Sequence, residues 1–405
     1  MSSYAPQLSF SNSKWTKCLI GNIADVGSSK RIHESEWTTE GIPFVRARDI
    51  VSAATNNKNL SPEIFISKET YLQTDKKGSI KKGDVLITGV GTIGVPYLVK
   101  HDDLFYYKDG NVLKIRCNEL VSADFLYYYI SSNIFQKHLK SIAATGTVAT
   151  FTINNAISSP IKFPEIKEQQ KIAEFFTALD EKIRIKRAHI MQTEKLKTYV
   201  MKQVFSGQMR FGYKVKWTEK KFKDVLDIER GSSPRPISKY LCDSEDGLNW
   251  IKIGDAPIKG NRITSVKEKI LPSGLKQSRM VHKGELLLSN SMSFGRPYIL
   301  EVDGCIHDGW LVIRNHNNIF NLDFLVYLLA SDEVKKQYKK LAGHGVVSNL
   351  NKDLVSEVIL RYPPLNEQNT IAQMLNSVDN KIALQKNQLE SLEKLKKAFM
   401  QRMFV

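Results

Sequence analysis

The chain has 405 residues, 42% of them hydrophobic and 25% charged, which is the composition of an ordinary globular protein with room for two or three domains. Its start, MSSYAPQLSF, lacks the basic and apolar segments of a signal peptide, and no apolar stretch is long enough to cross a bilayer. The four cysteines are scattered and form neither a zinc-site pattern nor a disulfide framework, so we expect a cytoplasmic protein with no membrane or metal site.

The formal net charge of +17 is spread along the whole chain. Residues 1–200 carry 27 Lys and Arg against 20 Asp and Glu, and residues 201–405 carry 32 against 22. An evenly basic folded surface suits a polyanion, because neutralising phosphates releases condensed counterions. A basic surface with no nucleic-acid role is the alternative.

In chain order, about 150 residues of short β-type runs come first, such as FVRARDI, DVLIT and NVLKIR. A helical stretch, DFLYYYISSNIFQKHLK, and a glycine-containing loop follow. A long helix then begins after Pro164 with an acidic first turn. The same order runs a second time through WIKIGD, ELLLS, WLVIR and DFLVYLLASDEVKKQYKKL to a second long helix.

The two halves are an internal repeat with a shift of 199 residues. PEIKEQQKIAEFFTALDEKI at 164–183 recurs as PPLNEQNTIAQMLNSVDNKI at 363–382, and LKTYVMKQVF at 196–205 recurs as LKKAFMQRMF at 395–404. Upstream, at shifts of 201 to 206 residues, KKGDVLIT pairs with HKGELLLS and GIPFVRARD with GLNWIKIGD. So many ordered matches exclude coincidence and predict a domain–helix–domain–helix order.

The long helices carry apolar residues at heptad spacing, which predicts that they pair with each other as a coiled coil. Each spans about 38 residues, or roughly 57 Å, which suits a spacer better than the core of a domain of about 150 residues. One amphipathic core helix in each domain is the alternative. The predicted seam residues are Ile172, Phe176, Leu179, Ile183 and Ile190 in the first helix and Ile371, Leu375, Val378, Ile382 and Leu389 in the second.

The stretch GVGTIG at 89–94 matches the G-x-G-x-x-G pattern of dinucleotide-binding proteins. That fingerprint needs a helix after the glycines, whereas Val95-Pro96-Tyr97-Leu98-Val99 is typical of a strand. The second copy, SNSMSFG, keeps only the last glycine. We therefore predict a hairpin-like connection with variable residues rather than a phosphate cradle.

Other catalytic patterns are missing from the sequence. It contains no G-x-x-x-x-G-K-[ST], no H-E-x-x-H, no G-x-S-x-G and no Asn/Asp-Pro-Pro-aromatic motif of amino-methyltransferases. His101-Asp102 and His307-Asp308 are isolated pairs, and the other copy keeps the histidine of neither. These observations favour a binding subunit over a single-chain methyltransferase or nuclease.

The doubled order resembles the specificity subunit of type I restriction–modification systems. The residues that carry the resemblance are the helix openings FPEIKEQQKIAEFF and YPPLNEQNTIAQML, the KGD/KGE segments and the G-x-P-Y segments. It implies an α+β chain in which two mixed α/β target-recognition domains are separated by two long antiparallel helices in a pseudo-twofold repeat. The predicted boundaries are 1–163, 164–206 for the central helix, 207–362 and 363–405 for the C-terminal helix.

The resemblance also implies a function and partners. Each domain would recognise one half of a bipartite, asymmetric site in double-stranded DNA, and the chain alone would be non-catalytic. Two methyltransferase subunits would bring S-adenosylmethionine, and two motor-nuclease subunits would bring ATP and magnesium. A repeat adaptor that binds only protein is the alternative.

Candidate DNA contacts lie in loops that are equivalent between the copies, and they are residue types that bind bases or phosphates. They are Lys30, Arg31, Arg46, Arg48, Thr92 and Asn111 in the first copy and Arg235, Lys252, Arg279, Asn290, Ser291 and Arg296 in the second. For each of them a solvated surface role is the alternative.

Overall fold

The structure is a computed structural model that describes residues 15–56, 59–102, 104–143, 150–212, 215–258, 260–290, 295–342 and 350–404. The chain forms two compact units. Unit 1 comprises Met1–Ala188 with Asn387–Val405, and unit 2 comprises His189–Lys386. The predicted fold class, two mixed α/β domains with two long helices, is confirmed. None of the helices in the described ranges is long and apolar enough to cross a membrane.

The first domain mixes short strands and helices and leads into the first long helix. Its elements are β1 Thr16–Leu19, α1 Ile20–Ile23, β2 Ala24–Gly27, β3 Trp37–Thr38, β4 Ile42–Val45, α2 Ala47–Asn56, β5 Phe65–Ile66, α3 Lys68–Gly78, β6 Val85–Thr88, β7 Pro96–Leu98, β8 Tyr106–Tyr107, β9 Val112–Cys117, α4 Ala123–Ser131, α5 Asn133–Ala143, α6 Ile153–Ser158, β10 Pro160–Phe163 and α7 Ile166–Phe205.

The second domain follows the same plan with more strands. Its elements are β11 Thr218–Lys221, β12 Asp227–Arg230, β13 Leu241–Cys242, β14 Leu248–Ile251, β15 Arg262–Ile263, β16 Lys269–Ile270, β17 Arg279–Val281, β18 Leu286–Ser289, β19 Pro297–Leu300, β20 Gly304–Ile306, β21 Trp310–Arg314, α8 Leu322–Leu329, α9 Asp332–Ala342, α10 Lys352–Ser356, β22 Ile359–Tyr362 and α11 Leu365–Met403.

The sheets of the two domains correspond. Unit 1 has the orders β2-β9-β6-β7 and β3-β5-β4-β8, and unit 2 has β12-β21-β18-β19-β15 and β13-β16-β14-β20-β17. All four residues of β6 are buried, and its first three are apolar. Val85 and Ile87 pack into one core, while Leu86 packs into another on the opposite face. The matching pairs β1–β10 and β11–β22 are antiparallel ribbons.

In each copy, the helical stretch predicted ahead of the glycine-containing loop is two helices rather than one. The break falls at Ser132 between α4 and α5, and at Ser331 between α8 and α9. Both serines are buried, and their hydroxyl oxygens accept hydrogen bonds from the amides of Phe135 and Val334. A serine that caps the following helix ends the preceding one, which helical periodicity alone does not reveal.

In unit 1 the first part of α7 packs antiparallel to the last part of α11. Lys396 lies 2.5 Å from Asp180, and Arg187 lies 2.6 Å from Glu393, so one helix ascends in number as the other descends. The core here contains Ile172, Ala173 and Phe176 of α7 together with Met400, Met403 and Phe404 from the end of the chain.

In unit 2 the other parts of the two helices pair in the same way. Lys197 lies 2.6 Å from Asp379, and Lys386 lies 2.5 Å from Glu194. The core contains Val204 and Phe205 from the end of α7 together with Ile371, Ala372 and Leu375 of α11. Among the predicted seam residues, Val378 and Leu389 are half-buried and the other eight are buried.

A buried glutamine fixes the start of each long helix to its domain. The Gln169 amide oxygen accepts from the Ser122 amide at 2.9 Å, and its nitrogen donates to the carbonyls of Leu120 and Pro164 at 2.9 and 2.8 Å. Gln368 makes the same three bonds in unit 2, to Asn321, Ile319 and Pro363. Fully paired amides of this kind tolerate no shift of the helix along its axis.

A tyrosine from each domain also binds the helix pair. The Tyr128 hydroxyl donates to Asp180 at 3.1 Å, and Lys396 lies 5.8 Å from the Tyr128 ring. Burial and the nearby carboxylate raise the pKa of the Tyr128 hydroxyl above its ordinary value, so the hydroxyl remains a donor. Tyr327, Asp379 and Lys197 repeat the arrangement in unit 2.

Phe404 tests whether the end of the chain completes the first domain. It is 1% exposed, and its ring lies 5.6 Å from Phe125 and 5.8 Å from Phe176. Phe404→Ala should cost about 3–5 kcal/mol of stability in unit 1. Hydrogen exchange should then accelerate in β6 and β9 but not in β18 and β21. The control is Leu395→Ala, which removes an exposed side chain. Equal acceleration in both units would contradict this assignment.

Candidate nucleic-acid interface

In unit 1 two parallel strands end side by side, and each is followed by a cationic residue. Phe44 and Val45 of β4 pair in register with Tyr106 and Tyr107 of β8. The next residues along the chain are Arg46 and Lys108, and the Lys108 amide donates to the Val45 carbonyl at 2.9 Å. The loops 28–31, 89–94 and 108–111 surround this point, and together with Arg46 we call them the first loop edge.

Arg46 and Lys108 share one aromatic platform. The guanidinium carbon of Arg46 and the Nζ atom of Lys108 each lie 5.7 Å from the Trp37 ring, within the range of cation–π attraction. The Arg46 amide donates to Asp49 Oδ2 at 2.8 Å, and Arg46 Nε lies 3.6 Å from that oxygen. The side chain is only 13% exposed, so its position is set by packing.

The loop 28–31 is bound to the end of β8. The Ser29 hydroxyl donates to the Tyr107 carbonyl at 2.6 Å, and the Lys30 amide donates to the Tyr106 hydroxyl at 2.8 Å. Burial raises the pKa of the Tyr106 hydroxyl, so this group stays neutral and also donates to the Lys30 carbonyl. These bonds hold the exposed side chains of Lys30 and Arg31 beside the strand ends.

The glycine stretch is a hairpin turn, as predicted. β6 and β7 are antiparallel, with Val85 opposite Leu98 and Ile87 opposite Pro96. The turn between them is bound to the neighbouring loop, because the Gly89 amide donates to the Asn111 carbonyl at 2.8 Å. Thr92 lies in this turn and is exposed.

Arg48 differs from the other first-copy candidates. It lies in the first turn of α2 with its side chain 59% exposed. Its Nη2 atom donates to Glu63 at 3.0 Å. Five of the six first-copy candidates thus lie in the loops around the strand ends, whereas Arg48 is directed to a neighbouring carboxylate.

Unit 2 has an equivalent edge with other side chains. β14 and β20 are parallel, and the residues that follow them are Lys252 and His307. The His307 amide donates to the Ile251 carbonyl at 3.1 Å, and the Lys252 amide donates to Asp255 Oδ2 at 2.8 Å. In unit 1 the Lys108 and Arg46 amides make the equivalent two hydrogen bonds. We call the loops 231–235, 252–255 and 307–310 the second loop edge.

The side chains of the second edge have partners of their own. Lys252 forms an ion pair with Glu268, and Arg235, which is 82% exposed, lies 3.8 Å from Asp308. The ring of His307 lies 6.0 Å from that of Trp250.

The remaining second-copy candidates are engaged in holding loops. Asn290 is 6% exposed, and its Nδ2 atom donates to the Asp308 carbonyl at 2.9 Å. Arg279 donates to the Arg230 carbonyl and pairs with Glu229. Arg296 donates to the Gly260 carbonyl at 2.8 Å. Ser291 lies outside the described residues.

Sequence reasoning missed Lys108, His307 and the Trp37 platform. The missing signal was available in part, since KDG at 108–110 and HDG at 307–309 differ by the repeat shift of 199. The motif Gly-Ser-Ser-x-Arg, at 27–31 and 231–235, was also available and was overlooked. In the described part of the chain, no cluster of three or more His, Cys, Asp or Glu side chains could hold a metal ion.

Comparison with known proteins decides the family. A family model described as "Type I restriction modification DNA specificity domain" matches residues 12–195 and again residues 214–394. The chain belongs to this family. The resemblance noted in the sequence is thereby confirmed, and so is the doubled domain order.

Curated relatives of this specificity family align over most of the chain. A putative type I restriction enzyme MjaX specificity subunit from Methanocaldococcus jannaschii is 25% identical over 84% of this chain and 82% of its own length. The MjaVIII specificity subunit of the same organism is 24% identical over 81% and 79%.

Solved structures show the same specificity-subunit fold. The type I restriction–modification S subunit from M. genitalium aligns with a TM-score of 0.60 at 17% identity, over 97% of both chains. The HsdS subunit from Thermoanaerobacter tengcongensis aligns with a TM-score of 0.51 at 20% identity, over 96% of both.

The turn between β6 and β7 gives a matched test of its glycines. Gly91 and Gly94 both have positive φ, +75° and +79°. A Cβ on Gly94 would lie 2.2 Å from Leu139 Cδ1, whereas one on Gly91 would have nothing within 4 Å. Gly94→Ala should therefore lower the free energy of unfolding by about 1–3 kcal/mol more than Gly91→Ala does. Urea titrations measure the difference, and equal losses would show that backbone strain alone matters.

Proposed function

We propose that this chain is the DNA-reading subunit of a type I restriction–modification complex and that it is non-catalytic alone. Each domain would recognise one half of a bipartite, asymmetric site in double-stranded DNA. The observation that supports this most is the pair of loop edges. They share a backbone arrangement but carry different side chains, as two readers of different bases on one scaffold require.

Charge supports the same proposal. Loops that end in arginine and lysine, on a chain of net charge +17, offer phosphate contacts and base contacts together. The loops are fixed by partly buried hydrogen bonds such as those of Ser29 and the Lys30 amide. Preordered loops lose little conformational entropy on binding, which favours a precise fit to one sequence.

We assign the gap between the half-sites to the long helices. They run for 40 and 39 residues, and glutamine amides fix their starts to the domains. Such rigid elements suit a spacer, because their length is set by the number of residues at about 1.5 Å each.

The helices also offer apolar side chains to partners. Exposed residues recur at matching positions of the two copies: Ile185 is 42% exposed and Leu384 is 58%, while Leu196 is 55% and Leu395 is 46%. Apolar residues that stay exposed in both copies favour contact with the same partner twice. We propose two methyltransferase subunits there, bringing S-adenosylmethionine, and two motor-nuclease subunits that add ATP and magnesium to the complex.

Binding and chemistry by the chain alone test the proposal. The purified chain should neither transfer methyl groups nor cut DNA, since it lacks the motifs for either. With its methyltransferase it should bind one DNA sequence specifically, and log K should fall linearly with log salt at about 0.9 per phosphate contact. A flat salt response and no sequence preference would instead favour the protein-binding adaptor.

Charge substitutions on the helices test the docking surface. Ile185→Asp and Leu384→Asp should each remove one methyltransferase subunit, and the double variant should remove both, because a buried unpaired carboxylate opposes association. Sedimentation gives the mass of each complex. Leu72→Asp is the control, since Leu72 is 62% exposed on α3, away from both helices. Loss of both subunits from one single variant would contradict two separate docking positions.

A further inference from the structure

We infer that the side chains at the ends of the parallel strands, Arg46 with Lys108 and Lys252 with His307, bind DNA phosphates rather than bases. This inference rests on the proposed function and assigns the ligand chemistry of its two loop edges. Bases are then left to the side chains around these pairs.

The four strand-end positions are equivalent in the two domains. The Lys108 and His307 amides make the same bond to the parallel neighbour, at 2.9 and 3.1 Å. The Arg46 and Lys252 amides make the same bond to an aspartate three residues on, both at 2.8 Å. Each domain thus places two nitrogen-bearing residues at one fixed backbone point. In unit 2 the Lys252 side chain pairs with Glu268, and His307 Nε2 lies 2.9 Å from Asp308.

The two copies share some residue types at their loop edges and differ in others. The strand-end positions keep a basic residue type in both domains. Some nearby positions differ, since Lys30 corresponds to Pro234 and Asn111 to Trp310. Arg31 and Arg235 are alike and belong with the kept positions. Two half-sites of different sequence have the sugar–phosphate backbone in common and differ in their bases. Positions kept alike therefore suit phosphates, and positions that diverge suit base edges.

The electrostatics of the Arg46 and Lys108 pair favour an anionic ligand. Arg46 and Lys108 are held 5.7 Å from the same Trp37 ring although like charges repel. Arg46 Nε and Nη2 are buried and have no hydrogen-bond partner among the described residues, so the guanidinium charge is not neutralised by direct hydrogen bonds at these atoms. Its nearest counter-charge is Asp49, 3.6 Å from Nε. A phosphate bound at the loop edge would bring negative charge to both cations, and it has the acceptor oxygens for them.

Charge removal tests the inference in the complex with the methyltransferase. Arg46→Met, Lys108→Met and Lys252→Met should each weaken binding and lower the slope of log K against log salt by about 0.9. The methylated sequence should stay the same in all three. Arg46→Lys should keep most of the binding because the charge is kept, and His307→Lys should bind more tightly with a steeper slope.

The controls separate this inference from folding and from the proposed function. Lys17→Met removes an exposed lysine of β1, outside the loop edges, and should leave the slope unchanged. Thermal melting identifies a variant that fails to fold, and Lys108→Met and Lys252→Met then stand in for Arg46→Met. Relaxed methylation at one base position, or an unchanged slope in the Met variants, would overturn the phosphate assignment alone. A wild-type complex without any sequence preference would overturn the proposed function itself.

Discussion

The rest of the structure depends on how the two long helices end. The last turn of each helix packs into the core of the domain that belongs to the other half of the sequence. Phe404, at the end of the chain, contacts Phe125 and Phe176 of the first domain. Val204 and Phe205, at the end of the first half, are buried in the core of the second domain. Neither half of the sequence therefore contains a complete core, and the two compact units cut across the repeat.

Polar contacts add direction to this apolar packing. A hydrophobic seam alone tolerates sliding by a turn, since heptad positions recur along both helices. The Lys396–Asp180 and Lys197–Asp379 pairs place a lysine from one half beside an aspartate and a tyrosine of the other half. Because these groups are satisfied in one register only, the pairs fix the helices where the seam leaves a choice.

The two domains share one backbone frame, which explains how the same fold can carry two different sets of exposed side chains. The parallel strand pair, the aspartate that accepts the following amide, and the hairpin with its last glycine are present in both domains. Gly94 and Gly295 both have positive φ, and a Cβ on either would collide with α5 or α9. The frame is thus held constant by packing, while exposed side chains such as Lys30 are free to differ.

The sequence by itself determined the repeat, the two long helices, the hairpin at the glycine stretch and the family, because these are local patterns or patterns that recur in the same order in the second half. It also placed five first-copy candidates in loops that the structure brings to one edge. Tertiary structure alone decided that Lys108 joins Arg46 on Trp37, that Arg48 is directed to Glu63, and that Asn290 is buried. It also decided that Phe404 belongs with a domain more than 200 residues away. Periodicity records which face of an element is buried, but the partner that buries it is set by packing between residues far apart in the chain.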